Sequence, residues 1–105
     1  MNKKKLKIGY FADGPWSHEA FLKIVNDKRF DIRFIVPRND SQDTTLLSFS
    51  KKFKIDYFKL DNINSDTSLK KVLDYDCDLL VSMSFNQIFR KNIIDLTSIG
   101  IINCH

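Results

Sequence analysis

Asn103 and His105 stand two residues apart at the end of an apolar run, Gly100-Ile101-Ile102-Asn103-Cys104-His105. On a strand, that spacing points both side chains to one face. A carboxamide donates hydrogen bonds without carrying charge, and an imidazole takes up a proton near neutral pH. Such a donor beside such a base suits attack of an amine on a carbonyl. The amide holds the developing oxyanion, and the imidazole removes the amine proton. Spacing alone fits a structural histidine better. What turns the reading toward chemistry is the expected place of the pair at the end of a central strand of the fold. A second group of candidates is the turn Asp13-Gly14-Pro15-Trp16-Ser17-His18. It is neither a GxGxxG nor a Walker A loop, because the glycine spacing is wrong and the Lys-Ser/Thr is missing. The helix it opens still offers free N–H groups to an anion. Taken alone, Trp16 reads as a surface or packing aromatic, with the lining of a pocket as the alternative, and His18 as a solvated helix residue.

These groups need elements to hold them, and the chain alternates regularly. Leu6 to Ala12 is a short apolar run that reads as a buried strand. Pro15 suits the first turn of a helix, and Ala20, Phe21, Ile24 and Val25 recur at helical spacing. Asp31 to Val36 reads as a second strand, stopped by Pro37. Asp43 can cap a helix whose Leu46, Phe49 and Phe53 share a face. Tyr57 to Leu60 is a weaker third strand. Ser65 and Asp66 can cap a helix with Leu69, Val72 and Leu73 inward. Asp78 to Met83 is the fourth strand, Asn86 to Leu96 a fourth helix, and Gly100 to His105 a fifth strand. About five strands and four helices in alternation predict an α/β fold: a doubly wound, mostly parallel, Rossmann-like sheet. The parallel strands are near-continuous apolar runs, as strands covered on both faces should be. Such sheets bind ligands beyond the carboxyl ends of their strands.

Asp13 and Asp61 both follow strands, which raises a receiver-like site for Mg²⁺ and phosphate. That fold also uses a Lys after its fifth strand, where this chain has Asn103-Cys104-His105, and an acidic pair after its first. Turn and cap roles explain both aspartates.

The 105 residues carry a net charge of +4, with 43% hydrophobic and 29% charged residues, which excludes disordered and collagen-like classes. No apolar run approaches the ~18 residues that cross a bilayer. The lysines are scattered, so a solvated surface is expected rather than a nucleic-acid or membrane partner. Cys77 and Cys104, far apart and without a CxxC, are expected to be buried, reduced thiols in a cytoplasmic protein. No metal site is expected. Ending on an apolar strand, the chain is expected to be the first part of a larger domain, with an exposed flank that favours a homo-oligomer.

Three segments together resemble the formyltransferases that use N10-formyltetrahydrofolate. They are the Phe-Ala-x-x-Pro turn at Phe11 to Pro15, the strand, loop and helix from Leu79 to Phe89, and the Gly-x-x-Asn-x-His strand at Gly100 to His105. The resemblance covers essentially the whole chain, residues 1–105. It implies that Asn103 binds the oxyanion and that His105 is the general base. It implies that Ser84, Phe85, Asn86, Gln87 and Ile88 touch the folate, largely through backbone groups and apolar contact. The turn Asp13-Gly14-Pro15-Trp16-Ser17-His18 looks like the branch that formylates amino sugars on nucleotides, such as a dTDP-4-amino-4,6-dideoxyhexose of lipopolysaccharide O-antigen. By that likeness Asp13, Gly14 and Trp16 approach the nucleotide sugar. Fragments of a methionyl-tRNA or glycinamide ribonucleotide formyltransferase, and a non-catalytic α/β remnant, are the alternatives. The family completes its triad with an Asp further along, which these 105 residues lack. An imidazole without its carboxylate loses about 10⁴-fold in a comparable triad. The chain alone is therefore expected to be inactive.

Overall fold

A computed structural model describes residues 5–41 and 43–104. Its elements run in the order β1 (Leu6–Ala12), α1 (Pro15–Val25), β2 (Phe30–Val36), α2 (Thr44–Phe53), β3 (Asp56–Tyr57), α3 (Asp66–Leu73), β4 (Leu79–Met83), α4 (Lys91–Ile94) and β5 (Gly100–Cys104). The strands form one parallel sheet in the order β3-β2-β1-β4-β5, so among the described residues β5, which carries Asn103, is an edge strand and not the central one expected. The chain runs outward from β1 to β3, then returns to the other side of β1 for β4. This reversal between β1 and β4 is the place where such sheets open a crevice at their carboxyl edge.

Two cores cover the two faces. On one, Ile8, Tyr10, Ala12, Ile32 and Ile35 meet Phe21 of α1 and Leu46 of α2. On the other, Phe11, Phe34, Val36 and Leu80 meet Val72 of α3 and Ile93 of α4. Ile32 and Phe34 are two residues apart yet face opposite cores. The pairing slips at this point, from Ile8 with Ile32 to Gly9 with Phe34, so Arg33 is the extra residue of a bulge. Gly9 leaves room for the Phe34 ring. A Cβ there would collide with that ring and lie 2.9 Å from Leu80 Cδ2.

The helix starts follow local chemistry. The Asp43 carboxylate caps α2 by accepting the Leu46 N–H, and Ser65 Oγ caps α3 by accepting the Ser68 N–H. α1 begins at Pro15, after Gly14 at φ 86°, with no side-chain cap. Several expectations need correction. β3 covers Asp56–Tyr57 instead of Tyr57 to Leu60. Phe58 and Leu60 instead turn into the second core. Leu73, at the last position of α3, is 54% exposed rather than inward. The fourth helix is the single turn Lys91–Ile94. The segment 86–90 is not helical; the Asn64 side chain of a neighbouring loop bonds the Ile88 carbonyl and the Arg90 N–H instead. Cys77 is buried as expected, Cys104 is half-buried, and both are free thiols.

Candidate functional site

β4 ends at Met83, and Ser84 then takes a left-handed conformation with φ 55°. A non-glycine residue there is uncommon and costs energy. This turn sends the chain back over the sheet, so that Phe85 and Phe89 both pack edge-on against Phe11, at 5.5 and 4.9 Å between ring centroids. β5 runs alongside β4, pairing Ser82 with Asn103. Between the loop and these strands lies a concavity of about 390 Å³ lined by Ser82, Phe85, Asn86, Gln87, Ile88, Phe89, Ile94, Ile101 and Asn103. Ile101 and Asn103 alternate with Ile102, as the strand period requires.

The structure thus brings Asn103 together with four of the five residues expected to touch the folate. Ser84 lies outside the lining and serves as the turn. Asn103 is exposed, and among the described residues none is hydrogen-bonded to its amide. His105 lies outside the described residues, so its alternation with Asn103 has no counterpart here. Gln87 lines the concavity with its side chain already engaged. Its Oε1 accepts the Ile63 N–H at 2.9 Å, and its Nε2 donates to the Leu60 carbonyl at 3.2 Å.

Asp13, Gly14 and Trp16 do not line this concavity. They sit at the carboxyl end of β1, the strand next to β4. The Asp13 N–H donates to the Met83 carbonyl, joining the two strand ends. The Asp13 carboxylate is no helix cap. It reaches the β2–α2 connection, where it accepts from the Arg38 N–H and Ser41 Oγ, each at 3.4 Å. Trp16 is 70% exposed in the first turn of α1.

His18 is not the solvated residue its surroundings in the sequence suggest. Its Nε2 lies 2.7 Å from both carboxylate oxygens of Asp43, a buried residue. The same carboxylate accepts the Gly14 N–H at 2.9 Å and the Leu46 N–H at 3.0 Å. Burial pushes the Asp43 carboxyl up. The Leu46 N–H, His18 and the Gly14 N–H together outweigh it and hold the group below the usual carboxylate range. Asp43 therefore ties the start of α1 to the start of α2. Its capping role was legible, but its partners lie 25 and 29 residues away. Tyr10 ties β1 to α1, donating from its hydroxyl to the Ser17 carbonyl at 2.7 Å. Among the described residues no group of three or more His, Cys, Asp or Glu is placed to hold a metal ion. No described helix is long and apolar enough to cross a membrane.

No protein-family model matches the chain. Among curated proteins it is similar to a methionyl-tRNA formyltransferase of Methylacidiphilum infernorum (isolate V4), with 26% identity over 108 residues. The match covers 95% of this chain and 34% of that protein, so the chain spans about a third of the relative's length. This distant likeness supports a relationship to the formyltransferases, and it leaves the acceptor open.

Proposed function

We propose that residues 1–105 are the amino-terminal part of an N-formyltransferase that moves a formyl group from N10-formyltetrahydrofolate to the amine of a nucleotide-linked amino sugar. The observation that carries this reading is the shared concavity of Asn103 and the 85–88 segment. Its volume of about 390 Å³ lies within the ordinary range of small-molecule sites, about 300–1,000 Å³. Its residues fit a folate ring: Phe85, Ile88, Phe89, Ile94 and Ile101 offer apolar surface, and Asn86 and Asn103 offer amides for the ring's polar edge. When bound, the donor would supply an activated one-carbon carbonyl. The uncharged Asn103 amide donates where negative charge grows on oxygen. His105 takes the proton of the attacking amine and passes it to N10 as the bond from the formyl carbon to N10 breaks and tetrahydrofolate leaves. Trp16, exposed near the ends of β1 and β4, supports an aromatic contact with the nucleotide sugar.

A second acceptor, an aminoacyl group on tRNA, is favoured by the similarity to a methionyl-tRNA formyltransferase. Calorimetry of the 105-residue chain with 5-formyltetrahydrofolate, a stable isomer of the donor, tests the shared part of both readings. Saturable heat is expected from the native chain and is lost in Asn103→Trp, which fills the concavity. No heat from a correctly folded chain refutes the proposal. Titration of a dTDP-4-amino sugar and of methionyl-tRNA into the folate-loaded chain then separates the acceptors, and binding of the tRNA alone would favour the second.

A further inference from the structure

The wall of the concavity is a segment with little regular structure. Residues 84–90 follow β4 and precede the single turn of α4, so their backbone groups need partners from elsewhere. Asn64 supplies two. Its Nδ2 donates to the Ile88 carbonyl at 2.8 Å, and its Oδ1 accepts the Arg90 N–H at 3.0 Å. Gln87 returns the arrangement from the opposite side, accepting the Ile63 N–H and donating to the Leu60 carbonyl. Each amide faces one backbone donor and one backbone acceptor, which fixes its orientation. The two loops are therefore joined by four reciprocal hydrogen bonds.

The two loops differ in how firmly they are held. The β3–α3 loop is anchored by the fully buried Ile63. It is also tied to α3 by Ser68 Oγ, which donates to the Asn62 carbonyl at 2.6 Å, and is braced within itself by the Asn64 N–H, which donates to Asn62 Oδ1 at 2.9 Å. The 84–90 segment rests on Phe85 and Phe89, while Ile88 is 77% exposed.

We infer that Asn64 and Gln87 are positioning residues: an amide clasp that holds the 84–90 segment in its binding-competent shape and so sets the affinity of the concavity for the folate. The affinity claim rests on the proposed function; the clasp itself stands on the hydrogen bonds. A preformed wall spares the ligand the ordering cost of the loop. Neither amide titrates, so the clasp acts equally across neutral and mildly acidic pH.

Asn64→Ala and Gln87→Ala are compared with the unsubstituted chain by amide hydrogen exchange and by calorimetry with 5-formyltetrahydrofolate. Ser65→Ala, which loses the α3 cap, reports stability loss alone. In the two clasp variants, exchange at Arg90 and Ile63 is expected to accelerate while the amides of β1 and β4 stay protected. Folate affinity is expected to fall about tenfold, a loss on the scale of one or two hydrogen bonds. Ser65→Ala is expected to lower the melting temperature without changing the affinity. Unchanged exchange in both clasp variants overturns the inference, and so does faster exchange with an unchanged dissociation constant. Absence of folate binding by the unsubstituted chain overturns the proposed function instead, and the exchange comparison then decides the clasp by itself.

Discussion

Asp43→Ala should destabilise the fold far more than the loss of a helix cap. The carboxylate accepts three separate donors: the Leu46 N–H at 3.0 Å, the Gly14 N–H at 2.9 Å and His18 Nε2 at 2.7 Å. Losing an N-cap costs about 1 kcal/mol. Leaving a buried donor without an acceptor costs about 1–3 kcal/mol. The His18 side chain, 23% exposed, can recover part of its loss from water. The total is then about 3 kcal/mol, several times the typical change for an exposed position. At about 4–8 °C per kcal/mol for a domain near this size, the melting midpoint should fall by roughly 12 °C or more. Thermal and urea unfolding followed by circular dichroism measure it, with Ser65→Ala as the variant that loses a cap alone. A carboxyl held below its usual range adds a pH signature. The folded form binds the proton less tightly than the unfolded form, so the contribution is full above the unfolded value of about 3.9. It fades as the pH falls through the lower, folded value. Asp43→Asn should flatten this acid limb of the stability curve. If Asp43→Ala costs no more than Ser65→Ala, or if Asp43→Asn leaves the acid limb unchanged, the tie between α1 and α2 contributes nothing and the reasoning fails.

Two further outcomes follow from packing. Gly9→Ala places a methyl group against the Phe34 ring and 2.9 Å from Leu80 Cδ2. It should cost about 1–3 kcal/mol in urea unfolding, and a neutral result would show that the Phe34 ring moves aside freely. Burial pushes the Cys77 thiol up to about 12, against a smaller opposing pull from Arg33. Cys77 should therefore be alkylated at pH 8 only as fast as the chain unfolds, after Cys104, as peptide mass spectrometry would record. Rapid labelling of Cys77 in the native chain would contradict its burial.

Near-continuous apolar runs between turn residues were enough to predict a parallel α/β sheet, because strands covered on both faces need no polar alternation. The caps at Asp43 and Ser65 were equally plain, since a cap is a local event within one turn of helix. What the sequence did not disclose is non-local. The bulge at Arg33 depends on pairing between β1 and β2, which neither strand's own residues reveal. The apolar spacing of Ile88, Phe89 and Ile93 read as a helix. In the fold, Asn64 takes the Ile88 and Arg90 backbone groups that a helix would have used, and the segment stays open. His18 looked solvated because its partner is 25 residues away. Residue types and local spacing determined which elements form and which groups stand at their ends. Tertiary structure decided which of those groups meet, because a hydrogen bond across two loops depends on where the sheet places them and not on their separation along the chain.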